Sequence, residues 1–149
     1  MTDFERAFKK TMVLEGGGEY VDNPNDPGGE TRWGISKRAN PDVDIKNLTE
    51  EQAKEIYRER YWKPLDFTEQ AGYGYVRVSW KLFDIAVNQG VAVALKFKDR
   101  IRGLGWIYCL YILCELQMRR YVDIVKNKPS SLEFLKGWTE RAFDMGENV

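Results

Sequence analysis

The sequence predicts a mainly α-helical domain that carries one small, irregular β-hairpin. Three observations lead there. Apolar residues recur at spacings of three and four along most of the chain, the period of helices that turn one face to a core. One segment dense in Asp, Asn, Pro and Gly separates two short β-prone runs, Tyr20-Val21 and Thr31 to Ile35. At 149 residues, without repeats or low-complexity tracts, the chain is expected to form one domain, residues 1–149, long enough for a substantial core.

The elements follow in order. Phe4, Ala7, Phe8 and Met12 form one apolar stripe, so residues 3–14 are read as a helix, with Thr2 and Glu5 as its capping box. Gly16, Gly17 and Gly18 stop it, and the hairpin runs to Ile35. Residues 37–45 form a short helix or loop. Thr49 and Gln52 make a second capping box, opening a helix that runs to about Trp62 and ends at Pro64. Residues 67–75 are expected to be a loop. Further helices are expected over residues 76–88, capped by Gly90, over 91–102, and over 106–126, the last being the most apolar and so the expected central helix. Ser130 and Glu133 are read as the cap of a final helix reaching Met145.

Composition narrows the chemistry. There is no histidine, which excludes Ser-His-Asp and Cys-His hydrolases. With two cysteines and no histidine, a zinc site of the usual kinds is excluded too. The run Asp22-Asn23-Pro24-Asn25-Asp26 begins like a calcium loop, but Pro24 stands at the third ligand position and no Glu at the twelfth. No metal or cofactor is therefore expected. The formal net charge is zero, so no basic footprint for nucleic acid is present. Cys109 and Cys114, about 140° apart around a helix, are read as free, buried thiols rather than a bridge. Residues 1–14 lack the features of a signal peptide, and the uncharged run 103–114 is too short to span a bilayer. The expectation is a monomer made in a cytoplasm without a signal peptide and without membrane insertion.

The remaining chemistry is carboxylate-based, which suits sugar bonds. Glu15 sits where the first helix stops. A helix C-terminus carries partial negative charge, which disfavours a second negative charge there. A carboxyl group that keeps its proton near neutrality serves as a general acid. The alternative for Glu15 is an exposed helix-end residue. The hairpin is expected to bring Asp22, Asp26 and Thr31 back towards it, whereas Glu19 and Glu30 read as exposed hairpin charges.

A helix-end Glu facing a hairpin with Asp and Thr is the layout of the lysozyme superfamily. Glu15-Gly16-Gly17, Asn23-Pro24-Asn25-Asp26-Pro27-Gly28-Gly29-Glu30-Thr31 and Trp33-Gly34-Ile35-Ser36 resemble the signature of glycoside hydrolase family 108. Ala53, Ile56, Tyr57, Tyr61 and Trp62 match in order, then Phe83-Asp84, Ala86-Val87-Asn88 and Gly90, then Phe134-Leu135, Gly137-Trp138 and Arg141. The family usually shows Glu-Gly-Gly-Tyr where this chain reads Glu15-Gly16-Gly17-Gly18-Glu19-Tyr20. That family contains N-acetylmuramidases, mostly phage endolysins, and related prophage or secretion-activator proteins.

The resemblance implies a lysozyme-like fold and a peptidoglycan hydrolase that cuts the bond between N-acetylmuramic acid and N-acetylglucosamine. It implies Glu15 as the acid, and Asp26 and Thr31 as the residues that hold a water. Asp26 has the alternative of shaping the turn before Pro27, and Thr31 that of a structural strand residue. Tyr20, Trp33, Tyr57, Trp62, Asn88 and Gln89 are candidates for lining a saccharide cleft, with Tyr57 and Trp62 equally compatible with a core. Trp80 and Trp138 are assigned to the core. Residues 91–149 stand where the family carries a peptidoglycan-binding half. Residues 91–110 lack its Asp-Gly-x-x-Gly turn, so a degenerate half packed into the same domain is expected. The enzyme would act on the bacterial wall after release from the host. A lytic transglycosylase and a non-catalytic wall-binding or secretion-accessory protein are the alternatives.

Overall fold

The computed structural model describes residues 1–23, 28–67 and 73–149, with Tyr73 described by its backbone alone. The described chain is mainly helical with one small two-stranded antiparallel sheet. It divides into two compact units, Met1–Pro64 and Leu65–Val149.

The first unit opens with helix α1, Asp3–Leu14, which starts at the expected capping box. The Thr2 hydroxyl accepts from Glu5 N–H, and the Glu5 carboxylate accepts from Thr2 N–H at 2.6 Å. Its stripe, Phe4, Ala7, Phe8 and Met12, is buried. Strands β1, Thr31–Arg32, and β2, Ile35–Ser36, pair with Arg32 opposite Ile35. The expected hairpin is thus placed differently. Thr31 to Ile35 is two strands and a turn rather than one strand. Val21 meets Thr31 in a single antiparallel bridge, with N–H···O bonds of 2.9 and 2.7 Å. Residues 37–45 form turns, not a helix.

Helix α2, Glu50–Tyr57, begins at the second capping box, Thr49 with Gln52. It does not run on as a regular helix to Trp62. Residues Arg58–Trp62 form a π-turn, followed by a 3₁₀ turn, Lys63–Leu65, at Pro64. The widened turn puts Trp62 edge-on to Phe4, with centroids 5.5 Å apart.

In the second unit, helix α3, Tyr73–Gln89, starts earlier than expected and ends before Gly90. Most of the expected loop 67–75 lies outside the described residues. Helices α4, Val91–Arg100, α5, Trp106–Asn127, and α6, Leu135–Phe143, follow. The central helix is α3, not α5 as expected. Val78, Trp80, Leu82, Phe83, Ile85 and Ala86 are all fully buried, covering the helix on every side. Helix α3 packs on α4 and α5, and α5 on α6. Helix α5 keeps a solvent face with Tyr108, Tyr111, Glu115 and Arg119. The segment before α6, Pro129–Phe134, is a 3₁₀ helix without a side-chain cap, so Ser130 does not open the last helix. Trp80 is fully buried, while Trp138 is half-buried and stacks on Tyr121.

Two buried charges bind this unit together. Asp84 is fully buried and takes a two-point contact from Arg141, at 3.0 Å from Nε and 2.8 Å from Nη2. Lys81, also fully buried, donates to the carbonyls of Arg141, Ala142 and Asp144 at 2.8, 2.7 and 3.0 Å. Burial pushes its pKa down, and the three carbonyls at the end of α6 give the ammonium its hydrogen bonds. Cys109 and Cys114 are free and buried, as expected. No described helix is long and apolar enough to cross a membrane.

Candidate active site

Glu15 is the C-cap of α1. Its N–H bonds Thr11 O at 3.1 Å, Gly16 takes φ +83°, and Gly17 N–H reaches back to Met12 O at 2.8 Å. This is the glycine-closed helix end in which the sixth residue bonds back to the first. The chain reverses immediately after Glu15, so its half-buried side chain stands at the helix end.

The β1–β2 turn supplies the surface opposite. Trp33 and Gly34 both adopt left-handed backbone, φ 54° and 69°, the pattern of a two-residue type I′ hairpin turn. Glycine does this freely; a bulky tryptophan does not. Three contacts hold Trp33 there. Its carbonyl accepts from the Tyr57 hydroxyl at 2.9 Å. Its indole Nε1 donates to Leu48 O at 3.3 Å. Its ring lies over Gly18, where a Cβ would come within 2.4 Å of the ring. Arg32, beside it, donates to Gly18 O at 3.0 Å and Lys46 O at 2.8 Å.

The turn is pressed against Glu15. A Cβ added to Gly34 would stand 2.6 Å from the Tyr57 hydroxyl, 3.3 Å from Glu15 Cβ and 3.5 Å from Glu15 Oε2. One oxygen of the carboxyl group, the turn backbone and the Tyr57 hydroxyl thus share one small volume. Tyr57 is only 2% exposed, and its ring meets Phe8 of α1 edge-on at 5.5 Å. Helix α2 therefore fixes the turn relative to α1 through a single side chain.

The rest of the hairpin is tied in as well. Thr31 pairs by backbone with Val21, and its hydroxyl donates to Gly29 O at 3.2 Å. Tyr20 donates its hydroxyl to Glu30 at 2.8 Å, which pushes the phenol up to about 12. Glu30 is half-buried rather than an exposed charge, while Glu19 is exposed. Trp33 is half-buried and lines an open cleft of ≈ 620 Å³ with Phe8, Lys9, Met12 and Lys54. Asp26 lies outside the described residues.

A family model described as glycosyl hydrolase 108 matches residues 8–90. The chain belongs to this family. Among solved structures, that of Brucella abortus SagA is similar, with a TM-score of 0.68 and 26% sequence identity over 95% of this chain and 90% of that one. Among curated proteins none matches.

Family membership makes the chain a glycosidase of the peptidoglycan-hydrolase type, and it singles out a carboxyl group as the expected reacting group. The matched span includes Glu15, the turn, Tyr57 and Trp62 from the first unit. It also includes Asn88 and Gln89, which belong to the second unit. Asn88 is exposed and accepts from the Tyr121 hydroxyl at 2.7 Å; Gln89 is half-buried. The structure brings Glu15, Trp33 and Tyr57 together, with Tyr57 acting from the core. Sequence reasoning missed Gly34 and Gly18. Gly34 carried a signal, since X-Gly between β-prone residues marks a two-residue turn. Gly18 carried none, because its need for a bare Cα comes from a ring fifteen residues away.

Proposed function

We propose that this glycosyl hydrolase 108 protein is an N-acetylmuramidase of the lysozyme type, acting as a phage endolysin. Its substrate is the bond between N-acetylmuramic acid and N-acetylglucosamine in peptidoglycan. The observation that carries the reading is Glu15, held at the end of α1 against the Trp33–Gly34 turn. Glu15 protonates the glycosidic oxygen as the bond breaks. A water then attacks the sugar carbon, held by the Thr31 hydroxyl and Asp26, and loses a proton to solvent.

Tyr20, Trp33 and Trp62 offer ring faces to the sugars. In the second unit, Asn88 is the exposed amide assigned to an N-acetyl group, whereas both polar atoms of the Gln89 side chain are buried. In the first unit, Tyr57 supports the Trp33–Gly34 turn from beneath. The protein works as a monomer and reaches the wall after release from the cytoplasm in which it is made.

Product analysis on purified peptidoglycan tests this. Hydrolysis leaves reducing muramic acid ends, one water heavier than the anhydro products of a transglycosylase, whose nucleophile is the substrate's own 6-hydroxyl. A digest dominated by 1,6-anhydromuramic ends would replace the hydrolase by a lytic transglycosylase and keep Glu15 in its role. Binding without any cleavage would reduce the protein to a wall-binding module.

A further inference from the structure

In the second unit, a chain of hydrogen bonds leads from the core to the surface. Gln117 on α5 is fully buried and donates Nε2 to the Tyr121 hydroxyl at 3.1 Å. Tyr121, one turn further along, is 1% exposed and donates that hydroxyl to Asn88 Oδ1 at 2.7 Å. Asn88 is exposed, next to last in α3. The Tyr121 ring is stacked on Trp138, centroids 4.9 Å apart and planes 16° apart. Burial pushes the Tyr121 phenol up, so it keeps its proton and remains a donor.

The direction of the chain follows from the inventory of donors. A hydroxyl that receives an amide N–H has its own proton to give to the next acceptor. Asn88 must therefore turn its oxygen inward and its NH₂ outward. Among the described residues no partner holds that NH₂. At the other end, Gln117 Oε1 is buried without a hydrogen-bond partner among the described residues. An unpaired buried amide oxygen costs stability, and an apolar residue of the same shape would avoid the cost. Packing alone does not account for Gln117; orienting the next two groups does.

We propose that Tyr121 and Gln117 are positioning residues that lock the Asn88 amide with its N–H bonds outward, so that it recognises an acceptor on the glycan, the carbonyl oxygen of an N-acetyl group. This rests on the reading of Asn88 as a substrate-contacting residue. An unlocked exposed amide presents oxygen and nitrogen alike and loses its rotational freedom on binding; a locked one has lost it already.

The test uses the intact chain labelled with ¹⁵N and tri-N-acetylchitotriose as probe, with the de-N-acetylated trimer as control. The Asn88 side-chain NH₂ resonances shift with the N-acetylated trimer and not with the control. Tyr121→Phe weakens the trimer about three- to tenfold. On peptidoglycan it raises KM by a similar factor with kcat within about twofold, a split that a general loosening of the fold would not produce. If Tyr121→Phe disturbs the fold, Gln117→Met takes its place and shows the same split. Glu15→Gln abolishes turnover and leaves the Asn88 shift in place, which separates this proposal from the muramidase reading. A wild-type protein that shifts Asn88 with the trimer but never cleaves peptidoglycan supports the lock and ends that reading. Unchanged Asn88 resonances on binding, or trimer affinity unaltered in both variants, overturns the lock.

Discussion

Gly34 and Glu15 meet across the end of the first helix in van der Waals contact: a Cβ on Gly34 would lie 3.3 Å from Glu15 Cβ and 3.5 Å from Glu15 Oε2, but only 2.6 Å from the Tyr57 hydroxyl, which would have to move. Glycine is needed there twice over, for its φ of 69° and for its missing Cβ. Gly34→Ala is therefore expected to cost about 1–3 kcal/mol of stability and to lower turnover further by pushing away the Tyr57 hydroxyl that holds the turn against Glu15. Urea unfolding and peptidoglycan clearing on the same sample check this. An alanine variant with unchanged turnover would show that the turn does not position Glu15.

Glu15→Gln keeps the shape of the side chain and removes the acid. Lysis should fall about 10²–10⁴-fold, while circular dichroism and the unfolding midpoint stay close to wild type. A glutamine variant that clears wall suspensions at the wild-type rate would remove Glu15 from the reaction.

Tyr57→Phe removes one hydroxyl and keeps the ring against Phe8. The loss of its bond to Trp33 O should cost about 1 kcal/mol. Because Trp33 is held in a backbone conformation it does not favour, hydrogen exchange at Gly34 and Ile35 should rise more than at α1. Equal protection in both proteins would mean that the other two contacts suffice to hold the turn.

Tyr20 provides a pH signature. Its phenol, bonded to Glu30, is pushed up to about 12, above its ordinary 10.0. A folded pKa above the unfolded one contributes stability that is fully present below about pH 10. That contribution is lost as pH rises through about 12. Glu30→Gln should bring one phenol back towards 10, seen as an earlier rise in phenolate absorbance, and should remove this part of the alkaline loss. Identical titration curves would show that the hydrogen bond is absent in solution.

Both thiols should react slowly in the native protein. Burial pushes Cys109 and Cys114 up, which keeps them as thiols near neutrality, and protein atoms exclude the reagent. Alkylation followed by mass spectrometry should count no labels in native conditions and both in denaturant. Rapid native labelling would mean that α5 opens readily.

The elements that could be read from sequence were those that announce themselves locally. Thr2 with Glu5 and Thr49 with Gln52 are spaced so that each cap satisfies its own helix end, and both helices begin where those residues stand. Glu15 was legible for the same reason, because three glycines must end a helix. Gly34 signalled a turn, but the place of Trp33 in it was not legible. Nothing in the local preference of tryptophan points to a left-handed backbone; it is imposed by Tyr57, Leu48 and Gly18, distant in sequence and adjacent in space. Ser130 and Glu133 have capping-box spacing yet lie inside a 3₁₀ helix, which begins at Pro129. The central place of α3 was hidden because polar residues interrupt its pattern. Lys81 and Asp84 look like solvent positions until their partners at the end of α6 are known.

Lys81 also sets a limit on how far the protein can be shortened. Its ammonium group is fully buried, and its three acceptors among the described residues all belong to residues 141–144. A chain cut back to Glu140 would lose them together with Arg141, removing the hydrogen bonds that compensate the burial of Lys81 and Asp84. A minimal version must therefore keep everything through Asp144, although the family match ends at residue 90.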